Sequence, residues 1–384
     1  MKKTDFIMSS FCILSVCFAI DGYDALIDTI SLDVGLGNNL IKLGTTIFLI
    51  ILGAGQIIVS RITSLWHQYG VLLISALLFV LGNVLCAITY HSSLFFAARI
   101  LAGLGAMGML ALPYIFVSQK NTQGSITKTL SYFHALSTLS PVLAPMLALI
   151  LYNRCHNWHL FFLILSIPGI IIIYLTFTNA KHLLEAKAPL KTLTLSLYIT
   201  SIKDQLFWLA ISPAISGLSI FIILMTSLSN FPHAHILIFA NAGIAHCVGA
   251  FVAPLWLRHF HQASLVKLGS SIVLIGSAIL LMKDNTPLLT YFSISAISIG
   301  SAFLLGASTI STLFSTERFN KIAVSTFYSS ILLLFSGLIS TLVALIKYPN
   351  IHFFIIILLS ILSYLSIYLL KKQLQYSHAC LSAA

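Results

Sequence analysis

Acidic residues are scarce in this 384-residue chain, which contains nine Asp and Glu against twenty Lys and Arg. Charged residues of both signs make up 8% of the sequence and hydrophobic residues 59%, far from the composition of a soluble globular protein. Six cysteines are scattered without a CxxC pair, so neither a disulfide framework nor a zinc site is indicated. We therefore expect a polytopic membrane protein without metal or cofactor.

Twelve apolar runs are long enough to cross a bilayer as helices, since about 20 residues span a hydrocarbon core of about 30 Å. They lie at about 6–30, 43–59, 70–88, 93–117, 127–151, 158–178, 205–229, 235–257, 265–282, 288–314, 322–346 and 351–370. The polar stretch 179–204 is the one sizeable break. We predict an all-α integral membrane protein with a six-helix bundle over 1–178, a central loop over 179–204, and a second six-helix bundle with a short tail over 205–384.

The first run, preceded by Lys2 and Lys3, could also be read as a cleaved signal peptide. Its length and its acidic residues favour a transmembrane helix.

The basic residues indicate the orientation. With twelve spans, fifteen Lys and Arg lie on the side of the termini and central loop, and only Lys42, Arg154, Lys283 and Lys347 lie on the other. The positive-inside rule then makes both termini cytoplasmic in a cell inner membrane. This placement explains the +11 formal charge without nucleic acid, and the expected partner is the lipid bilayer.

Three of the nine acids lie close together in the first run: Asp21, Asp24 and Asp28. Their i, i+3, i+7 spacing would place them on one face of a single helix. A charge at membrane depth is costly, so it usually faces the protein interior or a wet cavity. The alternative is that the span ends at Ile20 and the acids lie in an exposed loop.

Arg99 is the one basic residue that this arrangement places within a span. It should lie about 9 Å below the periplasmic face, and Asp21 should lie at about the same depth. Opposite buried charges at matching depth favour an ion pair. The alternative is that Arg99 extends towards the periplasm and pairs with nothing.

With these residues placed, five segments resemble motifs of the major facilitator superfamily, and within it the bicyclomycin-resistance (Bcr/CflA-type) group of drug:proton antiporters. Asp21-Gly22-Tyr23 is similar to that group's D-x-Y in the first span, although Ala25 replaces the proline. The other segments are Arg99–Ala106, Ser140–Pro145, Asn157–His159 and Phe239–Gly243.

The resemblance implies two pseudo-symmetric bundles that alternate around a central site. It also implies coupling of transport to protons, with Asp21, Tyr23, Asp24 and Arg99 as the proton and substrate residues. One segment departs from the family pattern. The loop at 60–69 lacks the acid and the arginines of the family's G-x-L-S-D-R-x-G-R-R latch.

Several other polar or special residues within the spans are weaker candidates. Tyr114 and Asn241 could contact substrate, but hydrogen bonds between helices are the usual role of such groups. Pro141 and Pro145 kink the fifth span or simply pack within it, and the family motif favours a hinge at the interface. His134 and His246 could meet across that interface and sense protons, or each could be an ordinary interior histidine.

The preferred function is proton-coupled export of small amphipathic molecules, such as drugs or a siderophore, by a protein expected to be a monomer. The alternatives are nutrient uptake or exchange on the same fold, and a transport-impaired scaffold or sensor, which the altered loop favours. An enzyme is disfavoured because no HExxH, GxSxG or other nucleophile–base pattern is present.

Overall fold

The described part of the chain is helical throughout and contains no strand. The computed structural model describes residues 3–120, 123–178, 205–228, 236–257, 259–282, 286–314, 321–346 and 349–382. The helices are α1 (Lys3–Asp24), α2 (Ile27–Val34), α3 (Asn38–Ile41), α4 (Leu43–Leu65), α5 (Gln68–Ile88), α6 (Ser92–Lys120), α7 (Gln123–Cys155), α8 (His159–Thr178), α9 (Gln205–Leu228), α10 (Ile236–Trp256), α11 (Gln262–Leu280), α12 (Pro287–Phe314), α13 (Lys321–Ala344) and α14 (Pro349–Ser382).

The helices have the lengths and composition of membrane spans. Eleven are long and apolar enough to cross a bilayer, and a shorter apolar stretch, Phe327–Val343, lies within α13. Helices suit this environment because their backbone groups are satisfied within the segment. Many buried serines donate their hydroxyl to a backbone carbonyl of the preceding turn, as Ser219 does to the Ile215 carbonyl at 2.6 Å. The expected all-α membrane fold is confirmed.

The first apolar run does not form one helix. α1 ends at Asp24, and the Tyr23 carbonyl accepts a hydrogen bond from the Leu26 amide at 3.0 Å before α2 begins. A side-chain hydrogen bond holds the end of α1 in place: the Tyr23 hydroxyl donates to the Ile41 carbonyl at 2.6 Å. The expectation that Asp28 shares a helical face with Asp21 and Asp24 is therefore wrong, since Asp28 lies on α2.

The long helices pack mainly within two groups. α1 and α4–α8 surround one apolar cluster whose buried members run from Met8 to Ile172. α9–α14 surround another, which runs from Ile220 to Ile367. This grouping agrees with the two bundles predicted from sequence. The predicted central loop, 179–204, lies outside the described residues, so the bundle boundaries stay a prediction.

In the described residues the two groups meet mainly along two helix pairs, which we call the α4–α13 seam and the α7–α10 seam. In the α4–α13 seam, Ser329 donates to the Gln56 side-chain oxygen at 2.6 Å, and Ser330 donates to the Gly53 carbonyl. In the α7–α10 seam, the Cys247 thiol donates to the Thr138 carbonyl at 2.5 Å.

Glycines allow the backbones to approach at both seams. A Cβ on Gly243 of α10 would lie 2.3 Å from the Pro141 carbonyl oxygen of α7. A Cβ on Gly53 of α4 would lie 2.6 Å from the Leu334 amide nitrogen of α13. The two groups therefore touch backbone to backbone, as small residues allow between membrane helices.

Candidate functional site

The last turn of α1 carries two aspartates with different surroundings. The Asp24 carboxyl lies among side chains of α4 and α6, within the first helix group. The Asp21 carboxyl lies towards α7 and α10, where the two groups meet. The two acids therefore belong to separate sites, although only three residues separate them.

Arg99 of α6 is fully buried and lies beneath the end of α1. Its two terminal nitrogens lie 3.4 Å and 3.3 Å from the Ala19 carbonyl oxygen, and its Nε has no hydrogen-bond partner. The guanidinium carbon lies 4.4 Å from the ring centroid of Tyr23 and 4.5 Å from that of Phe48. The cation is thus held mainly by aromatic faces and by a carbonyl near the C-terminal end of a helix.

The predicted Asp21–Arg99 ion pair is not formed in the described structure. The carboxylate whose field Arg99 feels is that of Asp24. The alternative that Arg99 extends out of the protein is also wrong, because its side chain is 0% exposed. The matching depth expected from sequence stays a prediction, and the two side chains leave their helices towards different neighbours.

Asp24 lies in a charged cluster that we call the Lys42 cluster, formed by Asp24, Asp28, Lys42 and Thr45. The Thr45 hydroxyl donates to Asp24 Oδ1 at 2.5 Å, and both groups are buried. Lys42 precedes α4, is 1% exposed, and lies in the field of both aspartates. With Arg99 nearby, two cations offset the two carboxylates.

Burial shifts the pKa values of Lys42 and Asp28, the two titratable groups of this cluster that lie outside the spans. Burial lowers the pKa of Lys42, and the two neighbouring carboxylates oppose that shift. Burial raises the pKa of Asp28, and Lys42 opposes it. The sequence analysis counted Lys42 only among the basic residues of the far side and did not place it beside the acids. Its signal was a lysine within fifteen residues of Asp28, on the side that otherwise has few basic residues.

Asp21 is half-buried, and among the described residues no cation lies beside its carboxyl. Its nearest polar neighbour is the side chain of Ser140 on α7, and its charge also reaches the Cys17 and Cys247 thiols. α1 and α7 are tightly packed here, because a Cβ on Gly22 would lie 3.2 Å from the Ala144 carbonyl oxygen.

The weaker candidates differ in what their polar groups contact. Tyr114 is 41% exposed and lies near Cys17, on the side of α1 that carries Asp21. Asn241 uses both ends of its amide on α12: its nitrogen donates to the Tyr291 carbonyl, and its oxygen accepts from Ser295, each at 3.0 Å. Tyr114 can therefore face a ligand, whereas Asn241 holds two helices together.

The predicted hinge residues are divided between the seam and the bundle interior. Pro141 lies in the α7–α10 seam against Gly243, whereas Pro145 is buried one turn further along an unbroken α7. The His246 ring lies 4.0 Å from that of Phe221, and its Nδ1 lies 3.3 Å from the Ser301 hydroxyl. Phe221 and Ser301 both belong to its own helix group. The side chain of His134 lies outside the described residues, so a contact between the histidines stays a prediction.

The described residues contain no group of three or more His, Cys, Asp or Glu side chains that could hold a metal ion. The arrangement is instead that of a multi-pass membrane protein with one uncompensated acid between two helix groups. These features, together with the family match, define a transporter rather than an enzyme. The chain belongs to the Major Facilitator Superfamily, whose family model matches residues 9–344.

Two curated relatives are similar to this chain at low identity. YdgK of Bacillus subtilis (strain 168), an uncharacterized MFS-type transporter, is 26% identical over 274 residues, which are 68% of each protein. The multidrug resistance protein MdtL of Salmonella typhimurium (strain LT2) is 25% identical over 173 residues, which cover 45% of this chain and 43% of MdtL. The match thus spans less than half of MdtL.

A solved structure shares the fold. The crystal structure of the peptide transporter POT in complex with sulfate superimposes with a TM-score of 0.73, covering 96% of this chain and 94% of that one at 14% identity. A likeness at this identity shows the fold alone.

Proposed function

We propose that this protein is a proton-coupled antiporter of the Bcr/CflA type that exports small amphipathic molecules across the cell inner membrane. The observation that carries the proposal is the setting of Asp21: a half-buried carboxyl, without a neighbouring cation, beside the α7–α10 seam. Such a carboxyl can gain or lose a proton without breaking an ion pair. The multidrug name of the relative MdtL supports export of drug-like molecules.

The proposed cycle uses competition at Asp21. Ionised Asp21 attracts the substrate from the cytoplasm, and a proton from the outside then neutralises the carboxyl and releases the substrate there. The two helix groups alternate around this site, as in other transporters built from two related halves. In the proposed cycle Asp24 stays bound to the Thr45 hydroxyl, with Lys42 and Arg99 nearby, and does not carry the proton.

The burial of Arg99 narrows the class of substrate. A ligand at Asp21 meets a carboxyl, hydroxyls and the exposed face of Tyr114, while Tyr23 and Phe48 cover the Arg99 guanidinium. This setting favours amphipathic molecules with a positive charge over zwitterionic or siderophore-like ones. We further propose a monomer with both termini in the cytoplasm, as the distribution of basic residues indicates.

The test is proton release on ligand binding. The purified protein is placed in weakly buffered detergent solution, and a panel of cationic, zwitterionic and siderophore-like compounds is added while pH and intrinsic fluorescence are recorded. We expect cationic compounds to release protons from the wild type but not from Asp21→Asn. Asp24→Asn is the comparison variant, and its folded fraction should still release protons.

Other outcomes point to the alternative functions. Binding without proton release in the wild type would contradict antiport and favour a facilitator that mediates uptake or exchange. Absence of binding across the panel would favour a transport-impaired scaffold or sensor, which the altered loop at 60–69 also suggests. Proton release that survives in Asp21→Asn but disappears in Asp24→Asn would show that Asp24 carries the proton. That outcome would contradict our proposal.

A further inference from the structure

Ser140 of α7 is a buried hydroxyl without a hydrogen-bond partner. Its side chain is 0% exposed, and its Oγ makes no hydrogen bond. Other serines in these helices satisfy themselves on the preceding turn, as Ser10 does by donating to the Phe6 carbonyl at 2.9 Å. An unpartnered buried hydroxyl costs free energy, and each such group in a folded protein calls for an explanation.

The side chain of Ser140 lies beside the carboxyl of Asp21. The titratable groups that face Asp21 in the described structure are Asp24 and Cys17 on its own helix and Cys247 on α10, with Tyr114 of α6 beyond Cys17. None of them is a cation. Ser140 is therefore the side chain best placed to donate a hydrogen bond to this carboxyl.

The same turn of α7 also contacts the other helix group. The Thr138 carbonyl accepts a hydrogen bond from the Cys247 thiol at 2.5 Å. A Cβ on Gly243 would lie 2.3 Å from the Pro141 carbonyl oxygen. Residues 138–141 thus touch Asp21 on one side and α10 on the other. A shift of this turn must be accommodated in the α7–α10 seam, because these backbone contacts leave no gap.

We propose that Ser140 is a positioning residue that transmits the protonation state of Asp21 to the α7–α10 seam. When Asp21 is ionised, the Ser140 hydroxyl donates to its carboxylate and draws this turn of α7 towards α1. When the carboxyl is protonated, it becomes a weaker acceptor, and the turn relaxes towards α10. The inference rests on the proposed function, since it assumes that Asp21 is the proton carrier.

Ser140→Ala is a clean probe of this role. The hydroxyl makes no hydrogen bond to the backbone of α7, so its removal breaks no contact within that helix, and the Asp21 carboxyl is the group that loses a neighbouring donor. A purely structural serine would therefore tolerate the change without effect. Ser140→Thr keeps the hydroxyl and serves as the rescue variant.

Cys247 offers a native reporter of the seam. In a variant in which Cys12, Cys17, Cys86, Cys155 and Cys380 are replaced by alanine, the rate of maleimide labelling of Cys247 is measured from pH 5.5 to 8.0. Each rate is divided by the rate for the denatured protein at the same pH, which removes the ordinary increase of thiolate with pH. The charge of Asp21 also acts on this thiol directly, and Ser140→Ala retains that effect. We expect the normalised rate to change by about fivefold or more, the lower range of coupling between two sites.

The variants separate the possible explanations. We expect Ser140→Ala and Asp21→Asn each to give a flat profile, and Ser140→Thr to restore the pH dependence. A pH dependence that persists in Ser140→Ala but not in Asp21→Asn would overturn the role of Ser140 and leave the proposed function intact. A flat profile in the parent protein would overturn the coupling.

Ligand-induced proton release, measured in the same proteins, tests the proposed function separately. Release that is lost in Asp21→Asn but retained in Ser140→Ala supports both proposals when the labelling profile of Ser140→Ala is flat. Release that persists in Asp21→Asn overturns the proposed function, and with it the premise of the inference.

Discussion

The guanidinium of Arg99 lies over the ring of Tyr23, 4.4 Å from its centroid, and makes no ion pair with Asp21 or Asp24 in the described structure. Phe48 covers it from α4 at 4.5 Å. Three helices of the first group thus enclose one cation. This makes Arg99 a structural centre of that group, separated from the site at Asp21 by the body of α1.

This arrangement predicts that Arg99→Lys destabilises the protein although it preserves the charge. A lysine ammonium lacks the planar group that stacks on two rings, and a desolvated cation–π contact is worth about 2 kcal/mol. We expect a lower apparent Tm in detergent, with ligand-induced proton release retained in the folded fraction. Loss of proton release at unchanged Tm would instead show that Arg99 acts directly on Asp21.

A second prediction concerns the hydrogen bond between Thr45 and Asp24. Thr45→Val keeps the shape of the side chain but removes the donor to a buried carboxylate, which costs about 1.5–3 kcal/mol. We expect a clear drop in the apparent Tm and partial rescue by Thr45→Ser. Thr46→Val is the matched control, since Thr46 adjoins Thr45 on α4 and is similarly buried, whereas Thr45 is the residue that donates to Asp24. Equal losses for the two valine variants would contradict this role of Thr45.

The sequence predicted the spans because their length and composition follow from the thickness of a bilayer. From the residue count along each helix, the sequence also predicts matching depth for Asp21 and Arg99, which stays a prediction. It could not predict which neighbour each side chain faces, since that depends on how each helix is rotated against the others. For this reason Arg99 was assigned the wrong aspartate.

The break after Asp24 was missed for a related reason. The Tyr23 hydroxyl and the Asp24 carboxyl hold the end of α1 by bonds to Ile41 and Thr45, which are distant in sequence. Lys42 was likewise used only to infer orientation, although it is buried against two carboxylates. Local patterns do not contain these long-range contacts. The family motif singled out Pro141 as a hinge candidate. Its contact with Gly243 is evident only from the structure.

A third prediction concerns the close approach at the α7–α10 seam. Gly243→Ala would place a Cβ 2.3 Å from the Pro141 carbonyl oxygen, so the helices must separate. We expect a higher normalised labelling rate of Cys247 and impaired transport in liposomes. Gly70→Ala is the control, because its Cβ would come no closer than 4.0 Å to a neighbour. Unchanged labelling and transport in Gly243→Ala would show that the seam tolerates the extra atom.

The last prediction uses the pH dependence of stability at Asp28. Burial raises the pKa of this carboxyl in the folded protein, so the folded state holds the proton more tightly than the unfolded state. Stability is therefore lost as pH rises from the ordinary carboxyl pKa, about 3.9, through the raised value. Asp28→Asn has no such proton to lose. Its apparent Tm relative to wild type should rise across this window and level off above it.

Lys42 supplies the internal control for that measurement. Its charge opposes the effect of burial on Asp28, so Lys42→Met should raise the pKa of Asp28 further and extend the window to higher pH. The measurement is thermal unfolding in detergent from pH 4 to 8 for wild type, each single variant and the double variant. If Asp28→Asn instead lost stability steadily as pH rose, attraction to Lys42 would outweigh the cost of burying the carboxylate. Lys42 and Asp28 would then form an ion pair that stabilises the beginning of α4.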